Sequence, residues 1–127
     1  MSRAIADTSI FIAQETGREL GDLPEEIAVS VVTAAELELG VLRATSATAR
    51  AIRLATLARV QATYSLLPID PEVASCFARI ASAELERGRR LRRHDTWIAA
   101  TAMRHDAVVI TQDADFSSFN EVAVLRV

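Results

Sequence analysis

Apolar and polar positions along this chain fall into short runs separated by turn residues. RAIA (Arg3 to Ala6) reads as a short buried strand ending at Asp7, and TSIFIAQETG as a helix with Gly17 near its end. LPEE marks a turn or helix start. IAVSVV (Ile27 to Val32) is a continuous, valine-rich run, as expected of a strand covered on both faces. TAAELELGVLRA follows as a helix, with Thr33 and Glu36 at the spacing of a capping box. The run from Ala47 to Tyr64 is an Ala- and Leu-rich helix whose wide apolar surface is either deeply buried or part of a subunit contact.

Ser65 to Ile69 reads as another short strand. Asp70 is an N-cap and Pro71 the first helical residue of a helix that carries Val73, Phe77, Ile80 and Glu84 along one face and stops at Gly88. Asp95 opens the helix TWIAATAMRH. AVVI (Ala107 to Ile110) is a buried strand, followed by the acidic turn TQDADF, and VAVLRV closes the chain as a last strand. Alternation of strands with helices predicts an α/β protein, a three-layer α/β/α sandwich with a mostly parallel central sheet. No linker, repeat or low-complexity tract divides the chain, so residues 1–127 are expected to form one domain.

Composition sharpens this picture in three ways. Hydrophobic residues make up 50% of the 127, enough for a packed core. A single cysteine, Cys76, excludes an intrachain disulfide and fits a reducing compartment; no stretch approaches the length of a membrane span. A cytoplasmic protein is expected. All 14 basic residues are arginine, which excludes lysine chemistry but keeps bidentate phosphate recognition available. The net charge of −3 argues against non-specific binding of long nucleic acid by the whole surface. Yet RGRRLRR, from Arg87 to Arg93, gathers five arginines beside Asp95.

Ligands of open parallel sheets bind outside the carboxyl ends of the strands. Asp7 follows the first strand, Glu36 lies one helical turn after the second, and Asp113 and Asp115 follow AVVI. Asp95 joins them only if its helix starts at the same edge. Each acid has an ordinary alternative: a cap for Asp7 and Asp95, the capping box for Glu36, turn chemistry for Asp113 and Asp115. Together they pose a different problem, because converging carboxylates repel one another. A divalent cation with a preference for oxygen, such as Mg²⁺ or Mn²⁺, removes that conflict.

Four stretches in series, ADTSIFIA, VVTAAELELG, RRHDTWIAATA and VVITQDADF, resemble the PIN-domain ribonucleases, and most closely the VapC-type toxins of bacterial toxin–antitoxin pairs. The resemblance covers essentially the whole chain. It implies a PIN-like fold and an endoribonuclease that hydrolyses RNA phosphodiester bonds with Mg²⁺, or Mn²⁺ in its place. It places the family's catalytic acids on Asp7, Glu36, Asp95 and a fourth position at Asp113 or Asp115, the same residues serving as metal ligands. It also implies RNA as substrate, a cognate antitoxin protein as partner and a homodimer, with no membrane association.

Several residues have competing roles. Thr8 and Ser9 are candidates for substrate contact or for bonds to Asp7, against ordinary first-turn roles. Arg90 and Arg93 are candidates for gripping RNA phosphate, against a solvated turn or an antitoxin contact. His94 reads as a surface residue, Trp97 as core rather than a base-stacking platform, and Cys76 as packed on an apolar helix face. Asp70 is set aside as a helix start. Two other classes remain: a signalling receiver module and a haloacid-dehalogenase-like phosphatase. The patterns of both include a lysine, which this chain lacks, and ADTS lacks the second aspartate of the phosphatase pattern. A non-catalytic binding module that keeps an acidic pocket is the third alternative.

Overall fold

The computed structural model describes residues 3–127. In chain order come strand β1 (Arg3–Ala6), helix α1 (Thr8–Thr16), β2 (Glu26–Ser30), α2 (Val31–Leu42), α3 (Ala47–Thr63), β3 (Ser65–Leu67), α4 (Pro71–Glu86), α5 (Arg93–Arg104), β4 (Val108–Thr111), a 3₁₀ turn (Ala114–Ser118) and β5 (Val124–Arg126). The strands pair in the order β3-β2-β1-β4-β5, and every pairing is parallel, so the sheet expected to be mostly parallel is wholly so.

Side chains alternate across a strand, and here the alternation feeds two cores. Ala4, Ala6, Val29 and Ile110 pack with Ile10 and Phe11 of α1, Leu37 and Val41 of α2, and Leu57 and Val60 of α3. Ile5 and Val109 face the opposite side, with Val73 and Ile80 of α4, Ile98 to Ala100 of α5, and Phe116. The result is the expected three-layer sandwich. Each fully buried Ile, Val or Phe contributes about 1.5–3 kcal/mol relative to exposure. Small side chains at Ala99, Ala100 and Ala102, all fully buried, let α5 lie close on the sheet.

The element ends differ from the sequence reading at two places that matter. The run Ile27 to Val32 is split: the Ser30 hydroxyl accepts the Val32 N–H at 3.0 Å and starts α2 at Val31. Ser30 is therefore the cap. Thr33 and Glu36 form no capping box, and Glu36 is released for other contacts. Likewise Asp95 does not open its helix. α5 begins at Arg93 after Arg92, which makes no side-chain cap bond, and Asp95 sits inside the first turn. An acid just before an apolar run and an acid within a first turn look alike in sequence. Deep burial of the 47–64 helix is also not found, since Ile52 and Leu54 of α3 are about half exposed at 49% and 52%. Among the described residues no helix is long and apolar enough to cross a membrane.

The chain leaves β1 through β2 and β3 on one side, then returns to β4 and β5 on the other. Its direction of winding reverses between β1 and β4, and the crevice at the carboxyl ends of those two strands is the natural ligand position of such a sheet.

Candidate active site

Asp7 stands in that crevice. Its N–H continues the ladder to the Ile110 carbonyl at 2.9 Å, and the residue is only 5% exposed. One carboxylate oxygen, Oδ2, receives the Ser9 hydroxyl at 2.7 Å, the Thr111 hydroxyl at 2.9 Å and, more weakly, the Ser9 N–H at 3.4 Å. Ser9 Oγ accepts the Gln112 N–H and Thr111 Oγ1 accepts the Asp113 N–H, both at 2.9 Å, and the two hydroxyls lie 3.1 Å apart, so backbone donors hold both beside Asp7. Capping of α1 and a role in the crevice are thus compatible: Oδ2 does the capping, while Oδ1 accepts no bond among the described residues.

Glu36 comes from the second turn of α2. Its Oε1 receives the Thr8 hydroxyl at 2.8 Å, and Thr8 in turn lies 3.0 Å from the buried Thr33 hydroxyl. Its Oε2 is 3.5 Å from His94 Nδ1 at the start of α5. Thr8 and Ser9, both candidates for substrate contact, therefore have their hydroxyls engaged with the two acids. Asp113 caps the 3₁₀ turn by accepting the Asp115 N–H at 2.9 Å.

Asp95 reports on how these groups share space. Its pKa is raised from 3.8 to about 6, first by burial and then by the charge of Asp7, with Asp113 and Glu36 adding to the shift and Arg92 opposing it. Arg92 Nη1 lies 3.6 Å from Asp95 Oδ2. Acids from the ends of β1 and β4, from α2 and from α5 therefore act on one another, and α5 does start at the carboxyl edge. Of the two candidates for the fourth acid, Asp113 is the one whose charge Asp95 feels. Asp115 is exposed and lines a neighbouring cavity instead.

Glu36, Asp95 and His94 line a cleft of about 450 Å³ together with Arg90, Arg92 and Arg93, so the two arginines singled out in the sequence are at its wall. The rest of the arginine run has a role the sequence did not reveal. Glu84 is only 2% exposed, and its Oε2 is held at 3.0 Å by both Arg87 and Arg89; Arg87 also reaches Glu121 at 2.8 Å. Arg92 lies over the Phe119 ring, 4.5 Å from its centroid, and donates to the Asp115 carbonyl at 2.7 Å. A glutamate on an otherwise apolar helix face, followed by arginines three and five residues later, was the available signal. Thr111 carried no signal at all. Trp97 stacks on Phe77 at 4.0 Å, both partly buried against the core, and Trp97 also lines a cavity with Glu36 and His94; Cys76 is buried as expected.

Among the described residues no group of three acids, histidines or cysteines is placed close enough to hold a metal ion together. The donor set is nonetheless all oxygen, carries mutual repulsion that a cation relieves, and leaves Asp7 Oδ1 uncommitted. Mg²⁺ typically takes only one or two carboxylates and completes its shell with water and substrate phosphate, so these residues suit a hard divalent ion.

Comparison with known proteins agrees with this geometry. The model of the PIN domain matches residues 4–122. Ribonuclease VapC5 of Mycobacterium tuberculosis is 45% identical over 125 residues, covering 97% of this chain and 92% of the relative. Ribonuclease VapC4 of the same organism is 40% identical over 127 residues, covering 98% and 97%. Among solved structures, the VapBC-5 toxin–antitoxin structure from M. tuberculosis aligns with a TM-score of 0.90 and 42% identity over 100% of both chains. FitAcB from Neisseria gonorrhoeae aligns at 0.78 with 28% identity over 96% of each. With an all-parallel sheet, an acidic crevice at its switch point and these relatives, the chain belongs to the PIN-domain family and falls among its VapC members.

Proposed function

We propose that residues 1–127 form one PIN domain that acts as an endoribonuclease, the toxin of a toxin–antitoxin pair, hydrolysing RNA phosphodiester bonds with Mg²⁺, or Mn²⁺ in its place. The observation that carries this reading is the electrostatic convergence of Asp7, Glu36, Asp95 and Asp113 at the sheet's switch point, in a chain 45% identical to a protein named as a ribonuclease.

Asp7, Glu36, Asp95 and Asp113 would hold the ion, with Asp115 at the margin. An ion held there would supply polarisation of the scissile phosphate and a lowered pKa for an attacking water. The chain's own residues do the rest. Ser9 and Thr111 keep Asp7 oriented as an acceptor, and Thr8 does the same for Glu36. Arg90 and Arg93, at the wall of the cleft, offset the repulsion between the acids and an RNA backbone. No protein nucleophile is required. The products are those of water adding to phosphorus as the P–O bond to the leaving oxygen breaks.

The partner in this reading is an antitoxin protein, supported by the toxin–antitoxin complexes among the structural neighbours. A second copy of the chain is a further partner, supported by exposed Leu39, Leu42, Ile52 and Leu54 on α2 and α3. The working compartment is the cytoplasm, supported by the lone buried thiol. The test is cleavage of a mixed RNA pool by the purified protein. Activity should need Mg²⁺ or Mn²⁺, stop with EDTA and be lost in Asp7→Asn. Wild-type protein that leaves RNA intact with either ion would sink the proposal.

A further inference from the structure

Beside the acidic cleft lies a second cavity of about 540 Å³, lined by Glu84, Arg89, Arg90, Arg92, Ala114 and Asp115. Arg90 and Arg92 line both cavities, so the two adjoin along one stretch of backbone. Like the first, it is lined by three arginines and two carboxylates. Three guanidinium groups face Glu84 and Asp115, and the Glu84 charge is already matched by Arg87 and Arg89.

Its construction is unusual for a solvated turn. A carboxylate buried to 2% exposure next to the C-terminal end of a helix has an unfavourable dipole as well as a desolvation cost. What it achieves is a fixed position for Arg89. Arg92 is fixed separately, by the Phe119 ring and the Asp115 carbonyl. Arg90 stands between them, exposed, with no hydrogen bond or ion pair among the described residues. Two anchored cations and one uncommitted cation around a space large enough for a nucleotide form a preorganised anion receptor.

We propose that this cavity is a subsite for an RNA phosphate next to the scissile one, with Arg90 as its principal contact and Glu84 as the residue that positions Arg89. The inference rests on the ribonuclease reading above. It adds that the strand runs from the acidic cleft over Arg90 into the second cavity, so that binding gains from one further nucleotide on that side. Arg93, which lines only the acidic cleft, has no part in this gain.

The experiment compares Arg90→Ala with Arg93→Ala. Once the cleaved sequence is mapped, a minimal RNA spanning the scissile bond and the same RNA extended by two nucleotides on each side are assayed for cleavage with Mg²⁺. Both are also assayed for binding in EDTA by fluorescence anisotropy. Arg90→Ala is expected to lower affinity and kcat/KM on both RNAs, with a loss about tenfold greater on the extended RNA than on the minimal one. It should also flatten the logarithmic salt slope for the extended RNA by about 0.7. Arg93→Ala should affect both RNAs alike. Equal effects of Arg90→Ala on both lengths, or none, overturn the subsite. So does unchanged RNA binding together with weakened antitoxin binding, which assigns the cavity to the protein partner. If wild-type protein fails to cleave RNA, the ribonuclease reading falls, and anisotropy in EDTA with a short and a longer single-stranded RNA of arbitrary sequence decides whether the subsite stands. Arg90 makes no contact whose loss threatens folding.

Discussion

Replacing Asp95 with Asn should make the metal-free protein more stable while removing its function. The folded-state pKa of Asp95 is raised from 3.8 to about 6, so between those values the folded chain holds a proton that the unfolded chain has lost. Stability therefore falls as pH rises through this window, and above it the full penalty is present. A shift of roughly two units at about 1.36 kcal/mol each gives about 3 kcal/mol. The side chain is 26% exposed, so solvent screening is modest. Against this, a negative charge in the first turn of α5 is worth about 0.3–1 kcal/mol through the helix dipole, which Asn gives up. The net expectation is a gain of about 2 kcal/mol near neutral pH, or roughly 5–10 °C in Tm for a domain of this size. Near pH 4 the gain should vanish. Thermal melts of both proteins in EDTA across that range measure it directly. Added Mg²⁺ should stabilise the wild type by about 2.7 kcal/mol at a hundred times its dissociation constant, read as a higher Tm, and stabilise the variant much less. A variant no more stable than wild type near neutral pH, or one whose advantage is the same at pH 4, refutes the idea that burial and the surrounding acids together penalise the Asp95 charge.

Other outcomes follow from the same contacts. Thr111→Val keeps the shape of a fully buried side chain but strips one donor from Asp7 and leaves the Asp113 N–H unpaired; metal affinity by calorimetry should fall about 10–100-fold, at a stability cost of about 1–2 kcal/mol. Glu36→Gln should fold normally, since Glu36 is not a cap, and lose most RNA cleavage; full activity would remove Glu36 from the site. Arg89→Ala leaves the buried Glu84 with one guanidinium fewer and should cost about 1–3 kcal/mol in urea unfolding. Lowering the pH toward 5 should weaken Mg²⁺ binding, because protonated Asp95 no longer offers a charge.

Much of the architecture was legible because its signals are local. Short valine- and isoleucine-rich runs alternating with helical periodicity can be satisfied only by a sheet covered on both faces, and Asp70-Pro71 marks a helix start on its own. The order of acids after the strands puts Asp7, Glu36, Asp113 and Asp115 toward one edge of the sheet. What the tertiary structure decided is nonlocal. Ser30 ends β2 inside an unbroken apolar run, because its side chain can cap α2 only when the chain turns there. Asp113, which caps the 3₁₀ turn, contributes to the raised pKa of Asp95, while Asp115 lines the neighbouring cavity. Thr111, some hundred residues from Asp7 along the chain, orients it only because β1 and β4 are adjacent in the sheet. Glu84 is bearable in the interior only because a turn folds Arg87 and Arg89 back onto it. A sequence records which groups are present and their local period. Which hydroxyl protons and guanidinium groups reach which carboxylates depends on the sheet order and on the paths of the loops.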